Sequence, residues 1–200
     1  MTIPVPQGFR LTAVPCGIKA DPTREDLTLI VADRPSVAAG VYTQNLVCAA
    51  PVTVDRQRTP SDKVRAVCVN SGNANACTGQ RGMQAALTMA QLAASACGAG
   101  ADQALVMSTG IIGVFLPMDK LAAGIRAAAA RLGSDEASFL LAARGITTTD
   151  KSHKIAGRTL EVGGRTIRLA GMCKGAGMIG PRMATMLAVV LTDAALTVAD

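Results

Sequence analysis

Apolar positions recur along the chain in two periods, separated by short polar breaks rich in glycine. Residues 11 to 50 read as short strands, clearest over Leu27 to Ala32 and Val37 to Tyr42, with Pro35 and Ser36 as a turn between them. Val64 to Val69 is another β-rich run and ends at Asn70-Ser71-Gly72-Asn73. From Gly82 to Cys97 the spacing of Met83, Ala86, Leu87, Met89 and Ala90 predicts a helix, stopped by Gly98 and Gly100. Ala104 to Met107 predicts a short buried strand. Met118 to Leu132, with Pro117 before it and Gly133 after, predicts a helix, and Ser134-Asp135-Glu136 caps another running to Arg144. Thr159 to Val162 and Thr166 to Leu169, joined through Gly163-Gly164, predict a β-hairpin. Met186 to Thr192 predicts a final buried strand. Strands and helices mix without regular βαβ alternation, so the pattern favours an α+β layered architecture over a doubly wound sheet.

Composition narrows the function classes. Half of the 200 residues are apolar and 17% are charged, which fits a folded globular chain. The net charge of +6 invites a nucleic-acid reading, but the basic residues are scattered singly, and three Phe, one Tyr and no Trp give no stacking platform. Neither nucleic acid nor a membrane is expected as a partner, since the run Met183 to Leu191 is too short to span a bilayer. Met1 to Arg10 lacks the apolar segment of a signal peptide, so a cytoplasmic location is expected. Six cysteines without a C-x-x-C pair, and one histidine, His153, argue against a zinc site; no metal or cofactor is expected.

Four polar segments could carry chemistry. Asn70 to Gly79 holds three asparagines and two glycines, residues that tolerate positive φ and expose backbone N–H groups. Ser108-Thr109-Gly110-Ile111-Ile112-Gly113 sets a hydroxyl beside a glycine N–H, a pairing able to stabilise an oxyanion. Thr147-Thr148-Thr149-Asp150 offers hydroxyls to a substrate carboxylate or amide. Lys174 to Leu187 brings a cation, glycines at 175, 177 and 180, and Thr185 at the entry to an apolar strand; its order is not that of a phosphate-binding loop. Composition and spacing leave each open to a plain structural reading: a strand-to-helix turn, a glycine loop, an ST-turn, and a loop before a strand.

Taken together, in this order, the four segments resemble the ornithine acetyltransferase family, the glutamate N-acetyltransferases of arginine biosynthesis. Gly40-Val41-Tyr42-Thr43 and Ala49-Ala50-Pro51-Val52 add to the match, which spans nearly the whole chain. One departure stands out: the family usually has Pro-Lys after Thr-Thr-Asp, where this chain reads Lys151-Ser152-His153-Lys154.

The resemblance implies a layered α/β/β/α sandwich with mixed sheets. It implies self-cleavage between Ala184 and Thr185, so that residues 1–184 form an α chain and 185–200 begin a β chain that continues beyond this sequence. Thr185 would be the nucleophile, with its new α-amine as the base. Thr109 and Gly110 match the oxyanion hole, and Thr148 and Lys174 match substrate-binding positions, as does Thr185 itself. The substrates implied are N-acetylornithine and glutamate, with acetyl-CoA left open as a second donor, and the assembly implied is a heterotetramer of α and β chains. Two other readings remain at this point: an N-terminal-nucleophile aminopeptidase or other hydrolase, and a non-catalytic module or inactive fragment.

Overall fold

The computed structural model describes residues 2–176, Met183 and residues 186–200. Among the described residues, two sheets and four α-helices make up the fold. The larger sheet has the order β1-β2-β3-β4, with β1 (Phe9–Val14), β2 (Leu27–Ala38) and β3 (Ser61–Asn73) antiparallel and β4 (Ala104–Ile111) parallel to β3. The smaller sheet, β5 (Lys154–Val162), β6 (Arg165–Lys174) and β7 (Leu187–Thr192), is antiparallel throughout. The chain is α+β and layered, and its sheets are not doubly wound.

Two apolar clusters explain why β2 reads as a continuous hydrophobic run. Leu27, Leu29 and Val31 enter one cluster with α1 (Ala50–Arg58), α2 (Gly79–Ser95) and α3 (Met118–Ala129). Ile30 points the other way, into a cluster with Phe139, Ala142 and Ala143 of α4 (Glu136–Gly145) and Ala170, Met172 and Leu191 of the smaller sheet. A strand covered on both faces needs apolar residues at successive positions. Helix α2 buries Ala85, Ala86, Met89, Ala90, Ala93 and Ala94 along one face, and its small side chains let it lie close to the sheet.

Several expected boundaries move. Pro35 and Ser36 do not turn the chain: β2 continues to Ala38, with register shifts around Ser36 absorbing the proline at the sheet margin. Residues 39–42 are not strand, and α1 was not expected; Pro51 at its start supplies the fixed φ of a first helical turn. Asp135 caps α4, accepting from the Ser138 N–H at 2.8 Å. The hairpin extends to Lys154 and Lys174 around Gly163 and Gly164, both at positive φ. Strand β7 alternates instead of being fully buried, with Val190 70% exposed. Among the described residues, no helix is long and apolar enough to cross a membrane.

Candidate active site

Strands β3 and β4 run in parallel and end together, which sets the first two polar segments side by side. Asn70 pairs with Ser108, Ser71 with Thr109, and Gly72 with Gly110. The strand therefore continues through Ser108-Thr109-Gly110 instead of stopping before it. Gly72 and Gly110 have φ of 122° and 131°, and a Cβ on Gly110 would overlap the Gly72 backbone. The approach requires glycine at 110, and the positive φ favours it at 72, where the parallel ladder becomes irregular.

The asparagines serve the loop itself. Asn70 accepts from Ser108 Oγ at 2.6 Å and donates to the Asn73 carbonyl at 2.8 Å. Asn73 donates to the Phe115 carbonyl and accepts from the Asn75 N–H, both at 3.0 Å. Asn75, at φ 49°, donates to the Gly82 carbonyl and accepts from Thr78 Oγ1. These side chains are buried and spent on backbone and hydroxyl partners within the fold, so the segment is the strand-to-helix turn that composition allowed. Its effect is to fix the backbone beside Thr109 and Gly110.

The fourth segment meets the second at Lys174, the last residue of β6. Its Nζ donates to Thr109 Oγ1 at 2.7 Å, and both residues are only 4% exposed. Burial pulls the Lys174 pKa below its usual value; the Asp150 charge opposes that shift and the Lys154 charge adds to it. Asp150 lies alongside. Its carboxylate accepts from Lys154 Nζ at 2.6 Å, from the Gly175 N–H at 2.9 Å and from the Thr148 N–H at 3.4 Å. Burial pushes the Asp150 carboxyl up, but these hydrogen bonds and the Lys154 charge outweigh it, and its pKa is net lowered. The Thr148 carbonyl accepts from Arg24 at 3.2 Å. Thr109, Lys174, Gly175, Asp150 and Thr148 thus form one connected group drawn from β4, the end of β6 and the turn after α4.

Ala184 and Thr185 lie outside the described residues. Leu187, two residues beyond Thr185, pairs with Lys174 in register at the start of β7. His153 lines a cavity of about 180 Å³ with Arg24, Arg144 and Asp150. A larger cavity of about 410 Å³, between Arg81 of α2 and Phe115, contains none of the candidate residues. Among the described residues no cluster of His, Cys, Asp and Glu is arranged to hold a metal.

Neither Asp150 nor Lys154 stands out in the sequence as a site residue. The i,i+4 spacing of opposite charges was the available signal, but it suggests a helix pair, whereas here it closes a turn onto Gly175.

Residues 10–200 match the model of the ArgJ family. The chain belongs to the ArgJ family. The arginine biosynthesis bifunctional protein ArgJ of Rhodopirellula baltica is 53% identical over 190 residues, covering 95% of this chain and 46% of that relative. The crystal structure of the Bacillus halodurans arginine biosynthesis bifunctional protein ArgJ superposes with a TM-score of 0.85 at 37% identity, covering 92% of this chain and 95% of that one. The ornithine acetyltransferase of Mycobacterium tuberculosis, solved with ornithine, gives a TM-score of 0.81 at 37% identity, with 92% and 96% covered. The chain spans about half the length of the curated ArgJ relatives it matches, yet nearly all of each solved ArgJ chain.

Proposed function

We propose that this chain carries the nucleophile-forming half of a self-processing acetyltransferase, moving the acetyl group of N-acetylornithine to glutamate. The hydrogen bond from Lys174 to Thr109 is the observation that carries this reading. An ammonium only donates, so it occupies a lone pair on Thr109 Oγ1 and leaves the hydroxyl proton to be given elsewhere. Next to a buried cation that O–H is a stronger donor, which suits an oxyanion that develops beside it. Gly110, held in its φ by contact with Gly72, is the partner position.

The proposed sequence begins with attack of Thr185 Oγ on the Ala184 carbonyl carbon. The peptide C–N bond breaks, the Thr185 nitrogen takes up a proton, and an ester joins the two residues. Water opens that ester, leaving a carboxylate on Ala184 and a free amine on Thr185. That amine then accepts the hydroxyl proton as Thr185 attacks the acetyl carbonyl of N-acetylornithine. Ornithine leaves with the proton, and the glutamate amine takes the acetyl group from the ester. Lys174 and Thr148 bind the α-carboxylate and amide of the substrates. The names of the relatives, the ornithine bound to the Mycobacterium tuberculosis enzyme, and the half-length of the solved ArgJ chains all support this reading. A heterotetramer of α and β chains, a cytoplasmic location and the absence of a cofactor belong to the same proposal, and acetyl-CoA stays open as a second donor.

Intact mass of the full-length protein tests the cleavage. Wild type is expected as two chains, the second beginning at Thr185, and Thr185→Ala as one uncut chain. Acetylornithine turnover with and without glutamate tests the transfer. Acetate release that ignores glutamate would show a hydrolase instead.

A further inference from the structure

The Asp150 side chain is only 1% exposed and ties three segments together. Besides the Thr148 N–H, it holds Lys154 Nζ and the Gly175 N–H on the same oxygen, Oδ1. Lys154 Nζ turns back and donates to the Gly175 carbonyl at 3.0 Å. Gly175 is thus gripped at both its N–H and its C=O. It is the residue at which the chain leaves β6, directly after Lys174, and its φ of 151° lies in a region that side chains disfavour.

A buried carboxylate is costly unless it is paired and hydrogen-bonded. An asparagine would still accept from the Gly175 N–H through its one carbonyl oxygen but would face the Thr148 N–H with its amide NH2, losing only that 3.4 Å contact, so the grip on Gly175 alone does not call for a charge. The charge has two uses here. It pairs with Lys154, and it is the opposing charge felt by buried Lys174.

We propose that Asp150, paired with Lys154, is a positioning residue of the transfer reaction, fixing Gly175 and through it the placement of the Lys174 ammonium against Thr109. The pair also sets the point from which the chain departs toward Thr185. This inference rests on the acetyltransferase reading.

The test uses the full-length protein with Asp150→Asn, Lys154→Met and Lys154→Arg, alongside Lys174→Met. Three quantities are read: the fraction self-cleaved by intact mass, KM and kcat for glutamate in the cleaved enzyme, and the thermal midpoint. Losing a charge-assisted contact of this kind is expected to raise KM on the order of tenfold in Asp150→Asn. Cleavage should slow, while kcat should fall by less than about threefold in the enzyme that has cleaved. Lys154 has a side chain 47% exposed, so the fold tolerates its replacement; Lys154→Met should move KM in the same direction, and Lys154→Arg should restore most of it. Should Asp150→Asn not fold, the two Lys154 variants decide. Unchanged KM and cleavage in Asp150→Asn or, failing that, in Lys154→Met overturns the inference. If Lys174→Met also leaves KM unchanged, the substrate-carboxylate reading of Lys174 fails; if Lys174→Met raises KM and the others do not, only the positioning role fails.

Discussion

Lys174 Nζ donates to Thr109 Oγ1 at 2.7 Å, joining the last residue of β6 in the smaller sheet to β4 at the edge of the larger one. The two residues lie 65 positions apart in the chain, and both are buried.

Removing the Thr109 hydroxyl takes away the proposed oxyanion donor while leaving the strand. Thr109→Ala in the full-length enzyme is expected to lower kcat on the order of 100-fold with a smaller change in KM. Thr109→Ser keeps the hydroxyl and should stay within about tenfold of wild type. Steady-state kinetics on the two variants checks this, and equal activity in both would remove Thr109 from the oxyanion hole.

Lys174 is a cation whose pKa burial lowers, so its charge is lost at a lower pH than that of an ordinary lysine. If it binds the substrate carboxylate, KM for glutamate should climb as pH rises through that lowered pKa. The climb should be absent in Lys174→Met, whose KM is raised at every pH. A KM that is flat in the wild type up to the ordinary lysine range would contradict the assignment.

Gly110→Ala tests the close approach of β3 and β4. The added methyl meets the Gly72 backbone and is placed at a φ of 131°, so neither a side-chain shift nor a rotamer change relieves it. A loss of about 3 kcal/mol or more is expected in denaturant unfolding. Gly72→Ala should cost less, because there the nearest atom is the Ile18 side chain, at 2.9 Å.

Asp55 of α1 is buried and accepts from the Val106 N–H of edge strand β4 at 3.0 Å, while Arg58 donates to the Ala104 carbonyl. These two side chains take the place of a neighbouring strand. Burial, opposed by the Val106 N–H and Arg58, raises the Asp55 pKa from 3.8 to about 7. Between those values the folded protein binds more protons than the unfolded chain, so stability falls as pH rises and levels off above about 7. The full effect is at most about 4 kcal/mol. Thermal midpoints of wild type and Asp55→Asn from pH 4 to 8 should show the wild type losing ground to the variant across that window. Parallel profiles would mean that Asp55 is ionised throughout.

The helices α2, α3 and α4, the hairpin around Gly163-Gly164 and the core of β2 were legible because each rests on local spacing or on turn residues. Helix α1 was missed because its short span, Ala50–Arg58, buries only Pro51, Val54 and Asp55 and so carries little apolar periodicity. Pro35 misled for the opposite reason. It is a turn signal in isolation, but the margin of the sheet tolerates it with a bulge.

Residue type and order alone mark the family and the α+β class, and they nominate Thr109, Gly110, Thr148, Lys174, Ala184 and Thr185 as candidates. They could not determine which of these meet. That Gly72 faces Gly110, that Lys174 crosses to Thr109, and that Asp150 with Lys154 grips Gly175 depend on two sheets being stacked through a shared apolar cluster. Such contacts are fixed by packing between distant segments, and local spacing carries no record of them.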